Sequence, residues 1–449
     1  MLHIEDDTIK KLLLKGKFGF ELESHRITMD GHLAHTAHPF PGDPHISRDF
    51  SEDQIEINTS PYDTAEEAID AMEGYMAQVQ EALCRKDRQE CLWPFSNPPY
   101  IKNERDIRIA QYYGEERENT TYREFLSDRY GRYLMTYSGI HVNYSFADEL
   151  LARNAEIDGV PYDRAYKDRF YVDLAEKAAA YGWVLVALMA ASPVMDSSFF
   201  QQGVYDGTDF CGMASPRCSE LGYWNQFSPM FDYTDLDAYV DKIQSYVDEE
   251  MLVAARELYY PIRIKPAGKY SLEALREQGV DHIEFRMYDL HPFSPLGLNL
   301  RDVKFAQLFL VWLASFRIER MSGGMQVQAV QNFKNAAHYD LDAAKVTVPG
   351  CICENEICGM PKRFSGSVRE TAICILESMR AFFGEFSIEV RDNVEYQMDK
   401  MTDESKRYAV QVRREYGEGF VRRGLSLAQK RQRQLLQKAS REAEGKERG

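Results

Sequence analysis

Phe18-Gly19-Phe20-Glu21-Leu22-Glu23-Ser24-His25-Arg26 is the stretch from which the fold can be read. Side chains alternate along a strand, so Phe20 and Leu22 share one face while Glu21 and Glu23 share the other. Two carboxylates side by side on a sheet repel one another unless something positive sits between them. Their oxygen ligands suit a hard divalent cation, Mg²⁺ or Mn²⁺.

Four more stretches follow the same grammar. From Gln54 to Asn58, the polar Gln54, Glu56 and Asn58 oppose Ile55 and Ile57, with Asp49 just before the strand. From Ile140 to Ser145, His141, Asn143 and Ser145 oppose Ile140, Val142 and Tyr144. Arg263 and Lys265 oppose Ile262 and Ile264. Glu284 and Arg286 oppose Ile283, Phe285 and Met287. A merely solvated sheet face would carry mixtures of Thr, Ser and Lys. Here Glu21, Glu23, Asp49, Glu56 and Glu284 converge with His141 as if on a common floor, a set able to bind two or three divalent ions. The neighbouring Arg and Lys side chains suit phosphate oxygens bridged by such ions. The combination points to a nucleoside triphosphate held as its metal complex. No Gly-x₄-Gly-Lys-Ser/Thr segment occurs, so the phosphates are not held by a P-loop. The competing reading is a buried charge network, but such networks cost desolvation and rarely reach this size without a function.

Composition narrows the classes. The chain has 449 residues, 44% of them hydrophobic and 28% charged, as in an ordinary globular protein with a large core. The net charge of -17 argues against general binding to nucleic acid or an anionic membrane. The longest apolar run, Trp183 to Ala191, is far short of the roughly 20 residues of a membrane-spanning helix. The acidic N-terminus lacks a cleavage site and reads as a short amphipathic helix. The eight cysteines are scattered, as expected of reduced thiols in a cytoplasmic protein. Cys351, Cys353 and Cys358 cluster without a zinc spacing, so a redox-sensitive pair or plain buried thiols fit better than a soft-metal site. His32, His35, His38 and His45 fall in a Pro- and Gly-rich loop and read as structural or exposed histidines.

Between the strands the periodicity predicts helices. Asp63 and Glu66 suggest a capping box ahead of a helix striped by Ile69, Met72, Met76, Val79 and Leu83. Residues 104–135 read as helical in pieces and 146–191 as helical. Further helices are expected at 234–257, near 271–278, at 299–319 and at 363–385. Ser322-Gly323-Gly324 reads as a turn. Beyond 403 the chain is charged, helical and increasingly basic, a solvated or docking tail rather than a nucleic-acid arm.

These residues sit in blocks that resemble the glutamate–cysteine ligase family, bacterial type: FGFELESHR, ISRDFSEDQIEINTSP, WPFSNPPYI, YREFLSDRYG, YSGIHVNYSF, RCSELGYWN, ELYYPIRIK and IEFRMYDLHPFSPLG, in the family's order from about residue 17 to 320. The resemblance implies an α+β fold like that of glutamine synthetases: a curved, mostly antiparallel sheet with a metal-lined concave face, helices packed on its convex side, and a C-terminal helical region. It implies a catalytic domain over 1–345 and a helical region with a basic tail over 346–449. The function implied is ATP-dependent joining of L-glutamate to L-cysteine through γ-glutamyl phosphate, the first step of glutathione biosynthesis. Glu23, Asp49 and Glu56 would hold one Mg²⁺; Glu21, His141 and Glu284 a second. Arg286 would stabilise the phosphoryl group in transfer, and Lys265 and Arg263 would touch nucleotide phosphate. Arg217 would bind glutamate. Phe50, Tyr122, Arg123, Tyr223 and Tyr259 would form the cysteine pocket. With no ATP-grasp-sized domain in the chain, the glycine-adding second step is not expected on it. Two other functions fit the same blocks: a γ-glutamyl ligase with another amine acceptor, and a catalytically silent regulatory homologue. The second would be expected to have lost an acid ligand, whereas all six ligand positions and Arg286 are filled.

Overall fold

The computed structural model of the chain describes residues 1–349 and 363–447. Its strands, in chain order, are β1 (Gly16–Thr28), β2 (Ile46–Arg48), β3 (Gln54–Asn58), β4 (Glu90–Leu92), β5 (Ile140–Phe146), β6 (Met195–Asp196), β7 (Thr208–Asp209), β8 (Ile262–Lys265), β9 (His282–Tyr288), β10 (Lys345–Pro349) and β11 (Arg363–Ser367). The first helices are α1 (Asp7–Leu12), α2 (Ala65–Leu83), α3 (Arg117–Tyr130), α4 (Asp148–Ile157), α5 (Arg164–Tyr181), α6 (Trp183–Met189) and α7 (Leu236–Asp248). They are followed by α8 (Leu272–Gln278), α9 (Leu300–Ala314), α10 (Gly323–Ala336), α11 (Val368–Phe382), α12 (Ile388–Thr402), α13 (Tyr408–Tyr416) and α14 (Phe420–Glu447).

Seven strands form an open antiparallel sheet in the order β2-β3-β1-β5-β9-β8, with β4 paired to the far end of β1. Helices α2, α5, α6 and α9 cover its apolar face, where Phe20, Leu22, Ile55, Ile57, Val142, Ile264, Ile283 and Phe285 are buried. Helices α11 and α12 back α6 and α9, and α14 lies along α2 and β4. One continuous core runs from Leu2 to Met401, including Val346 and Val348 of β10 and Val368, Ala372 and Ile375 of α11. The α+β class implied by the resemblance is what is observed.

Local chemistry moved several boundaries. Helix α2 starts one residue later than expected, because Thr64 rather than Asp63 caps it: Thr64 Oγ accepts the Glu67 N–H and Glu67 Oε2 accepts the Thr64 N–H, both at 3.2 Å. The helix expected over 234–257 ends at Asp248. Just after it Glu250 takes a left-handed backbone (φ 59°), and further on the buried Glu257 carboxylate accepts the Val253 N–H at 2.6 Å. The expected helix at 299–319 ends at Ala314. The one expected from 363 begins as β11 and turns helical only after Ser367, which forms a capping box with Glu370. Ser322-Gly323-Gly324, expected to form a turn, instead opens helix α10, whose first turn the Ser322 side chain caps. Strands β2 and β4 are three residues each, too short to display alternation. The cluster Cys351, Cys353 and Cys358 lies outside the described residues.

Candidate active site

The sheet's polar face gathers the charged side chains by register. Glu21 stands opposite His141 on one side and Asn58 on the other, and Glu23 opposite Glu56. Glu284 pairs with Asn143 across β5 and with Arg263 across β8. Between the pairs Val142–Phe285 and Ile140–Tyr288 the β5–β9 register shifts, so Arg286 and Met287 together oppose His141. A bulge of this kind re-aims a side chain locally, and the Arg286 N–H turns to the Pro261 carbonyl at 2.9 Å.

His141 is the hub. Its Nδ1 lies 2.8 Å from Glu21 Oε2 and 3.5 Å from Glu284 Oε1, and its Nε2 is 3.6 Å from Glu23 Oε1. Lys265 Nζ bridges Glu21 Oε1 at 2.7 Å and Glu284 Oε1 at 3.3 Å, while Arg286 Nη1 donates to Glu284 Oε2 at 3.0 Å. Arg263 Nε is 4.0 Å from Glu284. One ligand atom from each of Glu21, His141 and Glu284 lies within 4.8 Å of the others. Glu23 Oε2 accepts the Gly139 N–H at 2.9 Å, and Glu56 is held by Ser47 Oγ at 3.3 Å and Asn58 Nδ2 at 3.2 Å.

The carboxylates divide electrostatically. Burial, reinforced by Asp49, pushes the Glu23 carboxyl up to about 7, and the same two causes with Glu21 and Glu23 carry Glu56 to about 7. Burial and Glu284 would raise Glu21 too, but Lys265 and His141 outweigh them and hold it at about 2. Burial opposes ionisation of Glu284 as well; Lys265, Arg286 and His141 prevail and keep it well below the usual carboxylate range. The side near Lys265 is therefore charge-balanced, and the side of Glu23 and Glu56 is short of positive charge. His141 Nε2, buried and without a hydrogen-bond partner, lies between the two sides.

Three cavities are lined by these groups. The largest, about 1610 Å³, is lined by Glu21, Glu56, Asn58, Lys265 and Tyr270, with Lys15, Lys17 and Lys269 around it. A small one of about 50 Å³ is bounded by His141, Arg217, Tyr223, Tyr259 and Arg286. A third, about 130 Å³, takes in Glu23, Asp49 and Arg286 together with Phe50, Tyr122, Arg123, Tyr223 and Tyr259. The five residues expected to form one pocket thus line one cavity. Arg217 is buried and donates to the backbone carbonyls of Arg286 at 3.0 Å and Tyr288 at 3.3 Å. Tyr223 and Tyr259 pack edge to face at 4.9 Å, and the Tyr259 hydroxyl is buried without a partner.

Arg256, Tyr137, Tyr270, Lys15, Lys17 and Lys269 also line these cavities and were not singled out from the sequence. Arg256 lies two residues before the strand-like block at 258–265, the nearest thing to a signal. The loop histidines disperse to separate partners: His35 to Asp106, His38 to the Ile46 carbonyl, His45 to the Asn58 carbonyl, and His32 against Tyr100. No helix among the described residues is long and apolar enough to cross a membrane.

Comparison with known proteins identifies the family and the fold. A family model described as glutamate-cysteine ligase matches residues 1–336. The chain is 32% identical over 434 residues to the glutathione biosynthesis bifunctional protein GshAB of Listeria monocytogenes, covering 93% of this chain and 54% of that protein. It is 31% identical over 359 residues to the glutamate–cysteine ligase of Clostridium acetobutylicum, covering 68% of this chain and 73% of that one. The chain spans about half the length of the bifunctional relatives it matches. A crystal structure of glutamate–cysteine ligase from Francisella tularensis in complex with AMP superposes with a TM-score of 0.82 at 23% identity, over 94% of this chain and 89% of that one. A bifunctional glutathione synthetase from Pasteurella multocida gives 0.79 at 24% identity, over 96% of this chain and 54% of that one. The fold is the one these structures share, and the chain belongs to the glutamate–cysteine ligase family.

Proposed function

We propose that the chain joins the γ-carboxylate of L-glutamate to the amine of L-cysteine while splitting ATP into ADP and phosphate. The observation that carries this reading is that His141 lines one cavity while its carboxylate neighbours Glu21 and Glu23 each line another. Glu21 and Lys265 line a cleft large enough for a nucleotide, Arg217 lines the small cavity beside His141, and Glu23 lines the tyrosine-lined one. A reaction with three substrates needs such an arrangement, because the transferred phosphate and the acyl carbon must be reached in turn.

In the first step a γ-carboxylate oxygen of glutamate, its α-carboxylate held by Arg217, attacks the terminal phosphorus of ATP and ADP departs. Charge spreads over the phosphoryl oxygens in transfer, and preorganised cations supply the largest stabilisation in such reactions. Arg286 and Lys265 are those cations here, with Arg263 beside them; each is already oriented by Glu284 or Glu21. In the second step the deprotonated cysteine amine attacks the acyl carbon, the carbon–oxygen bond to phosphate breaks, and the amide forms with loss of a proton. No covalent enzyme nucleophile is required.

The donor set fits hard divalent cations. Burial and neighbouring acids raise Glu23 and Glu56 despite the cations near Glu23, and His141 Nε2 is a buried nitrogen with no hydrogen-bond partner. Glu23, Asp49 and Glu56 would hold one Mg²⁺ and Glu21, His141 and Glu284 a second, with Mn²⁺ an acceptable substitute. Bound there, such ions neutralise phosphate-oxygen charge.

The test is phosphate release from Mg-ATP with L-glutamate and a panel of amines, with mass spectrometry of the product. Cysteine-dependent release and a γ-linked dipeptide are expected. Release that favours another amine would move the acceptor and keep the chemistry. No release from folded protein that binds ATP would overturn the reading in favour of a silent homologue.

A further inference from the structure

We propose that Arg256 binds the α-carboxylate of the amine acceptor and so selects cysteine over an amine that lacks that group. The inference rests on the ligase reading above.

The tyrosine-lined cavity contains two arginines besides Arg286, namely Arg123 and Arg256. They are held very differently. Arg123 spends every nitrogen on backbone carbonyls: Nε on Asp49, Nη1 on Asn119 at 3.0 Å and Nη2 on Arg48 at 3.1 Å. It braces the segment that carries Asp49 and has little left for a ligand.

Arg256 lies flat over the Tyr122 ring, its guanidinium carbon 3.7 Å from the centroid. That contact fixes the plane of the group without consuming its edges. Nη1 donates to Asn119 Oδ1 at 3.1 Å, while Nε and Nη2 carry no hydrogen bond among the described residues. The neighbouring acid does not neutralise it. Glu257 is fully buried, pairs with Arg129 at 3.0 Å and accepts the Tyr130 hydroxyl at 2.8 Å and the Val253 N–H at 2.6 Å. No carboxylate of the described residues forms an ion pair with Arg256 within 4.0 Å.

A preoriented guanidinium edge with two open N–H groups matches a carboxylate bidentately. Arg256 shares its cavity with Arg286, and an acceptor must enter that cavity to reach the acyl phosphate. Phe50, Leu126 and Met135 supply apolar wall for a small side chain. Arg256 is therefore the specificity residue for the acceptor, and Arg123 a positioning residue for Asp49.

The experiment compares L-cysteine with cysteamine, which keeps the thiol and the amine and lacks the carboxylate. Phosphate release with Mg-ATP and L-glutamate is measured for the unmodified protein, Arg256→Gln and Arg256→Lys. In Arg256→Gln the kcat/KM preference for cysteine over cysteamine should fall about tenfold or more through the cysteine KM, with the KM for ATP and for glutamate within about twofold. Arg256→Lys, which keeps the charge and loses the fork, should fall between. An unchanged preference in Arg256→Gln of unaltered melting temperature overturns the assignment. So does a parallel loss with both acceptors accompanied by a raised glutamate KM. Absence of phosphate release from the unmodified protein with every amine overturns the ligase reading itself and this assignment with it.

Discussion

Gly139 and Arg217 compete for one space: a Cβ built on Gly139 would lie 2.2 Å from Arg217 Nη2 and 2.4 Å from its guanidinium carbon. The same glycine donates its N–H to Glu23 at 2.9 Å. One residue without a side chain thus seats the arginine proposed to bind glutamate and caps a proposed metal ligand. The far side of Arg217 is equally tight, since a Cβ on Gly222 would meet its backbone carbonyl oxygen at 2.0 Å.

Gly139→Ala should therefore displace the Arg217 guanidinium. Steady-state kinetics are expected to give a glutamate KM raised about tenfold or more, with the ATP KM little changed. Overpacking should cost about 1–3 kcal/mol in stability, measurable by urea unfolding.

Glu284 is fully buried against Lys265, Arg286 and His141. Glu284→Gln keeps its shape and removes the charge that orients both cations. Phosphate release should drop about a hundredfold or more. Arg286→Ala should produce a comparable loss. A variant of either kind that keeps full turnover would remove that residue from the mechanism.

The pH dependence of stability follows from the raised carboxyls. Glu23 and Glu56 sit at about 7 in the folded chain, above the ordinary carboxylate value of 4.5. Between those values the folded state binds more protons than the unfolded one, so stability declines as pH rises across the window. His141, raised by Glu21 and Glu284 against burial, has the same sign. Chelator-treated protein should melt lower at pH 8 than at pH 5.5. Added Mg²⁺ should raise the melting temperature more at pH 8, where the carboxylates are ionised and free to bind it. Equal Mg²⁺ shifts at both values would argue against these carboxyls as ligands.

A second buried charge site fastens the C-terminal helices. Lys400 of α12 donates to Asp302 Oδ1 of α9 at 2.8 Å and lies 3.9 Å from the Tyr408 ring centroid. Asp302 also accepts from Tyr408 at 2.7 Å and Gln397 at 2.9 Å. Lys400→Met leaves the aspartate buried without its cation, and about 3–5 kcal/mol of stability should be lost, seen as a lower urea midpoint. Lys400→Met combined with Asp302→Leu should recover part of that loss.

Much of the site was legible before any coordinates. Alternation is local, so Glu21, Glu23, Glu56, His141, Lys265, Glu284 and Arg286 could be assigned to polar faces strand by strand. Helix ends were less legible, because caps compete over single residues: Thr64 prevailed over Asp63. Helix α7 ends at Asp248, ahead of a left-handed Glu250, and the buried Glu257 beyond it takes Arg129 and Tyr130, over a hundred residues away, as partners.

The sequence by itself determined five strands of the main sheet (β1, β3, β5, β8 and β9), their polar and apolar faces and the chemical character of the floor, since a period of two depends only on neighbouring residues. Only the tertiary structure decided which groups meet. The pairing of Glu21 with His141, the bulge that sets Arg286 and Met287 against His141, the seating of Arg217 on Gly139 and the stacking of Arg256 on Tyr122 join segments far apart in the chain. Such contacts are fixed by strand register and core packing, which no local pattern encodes.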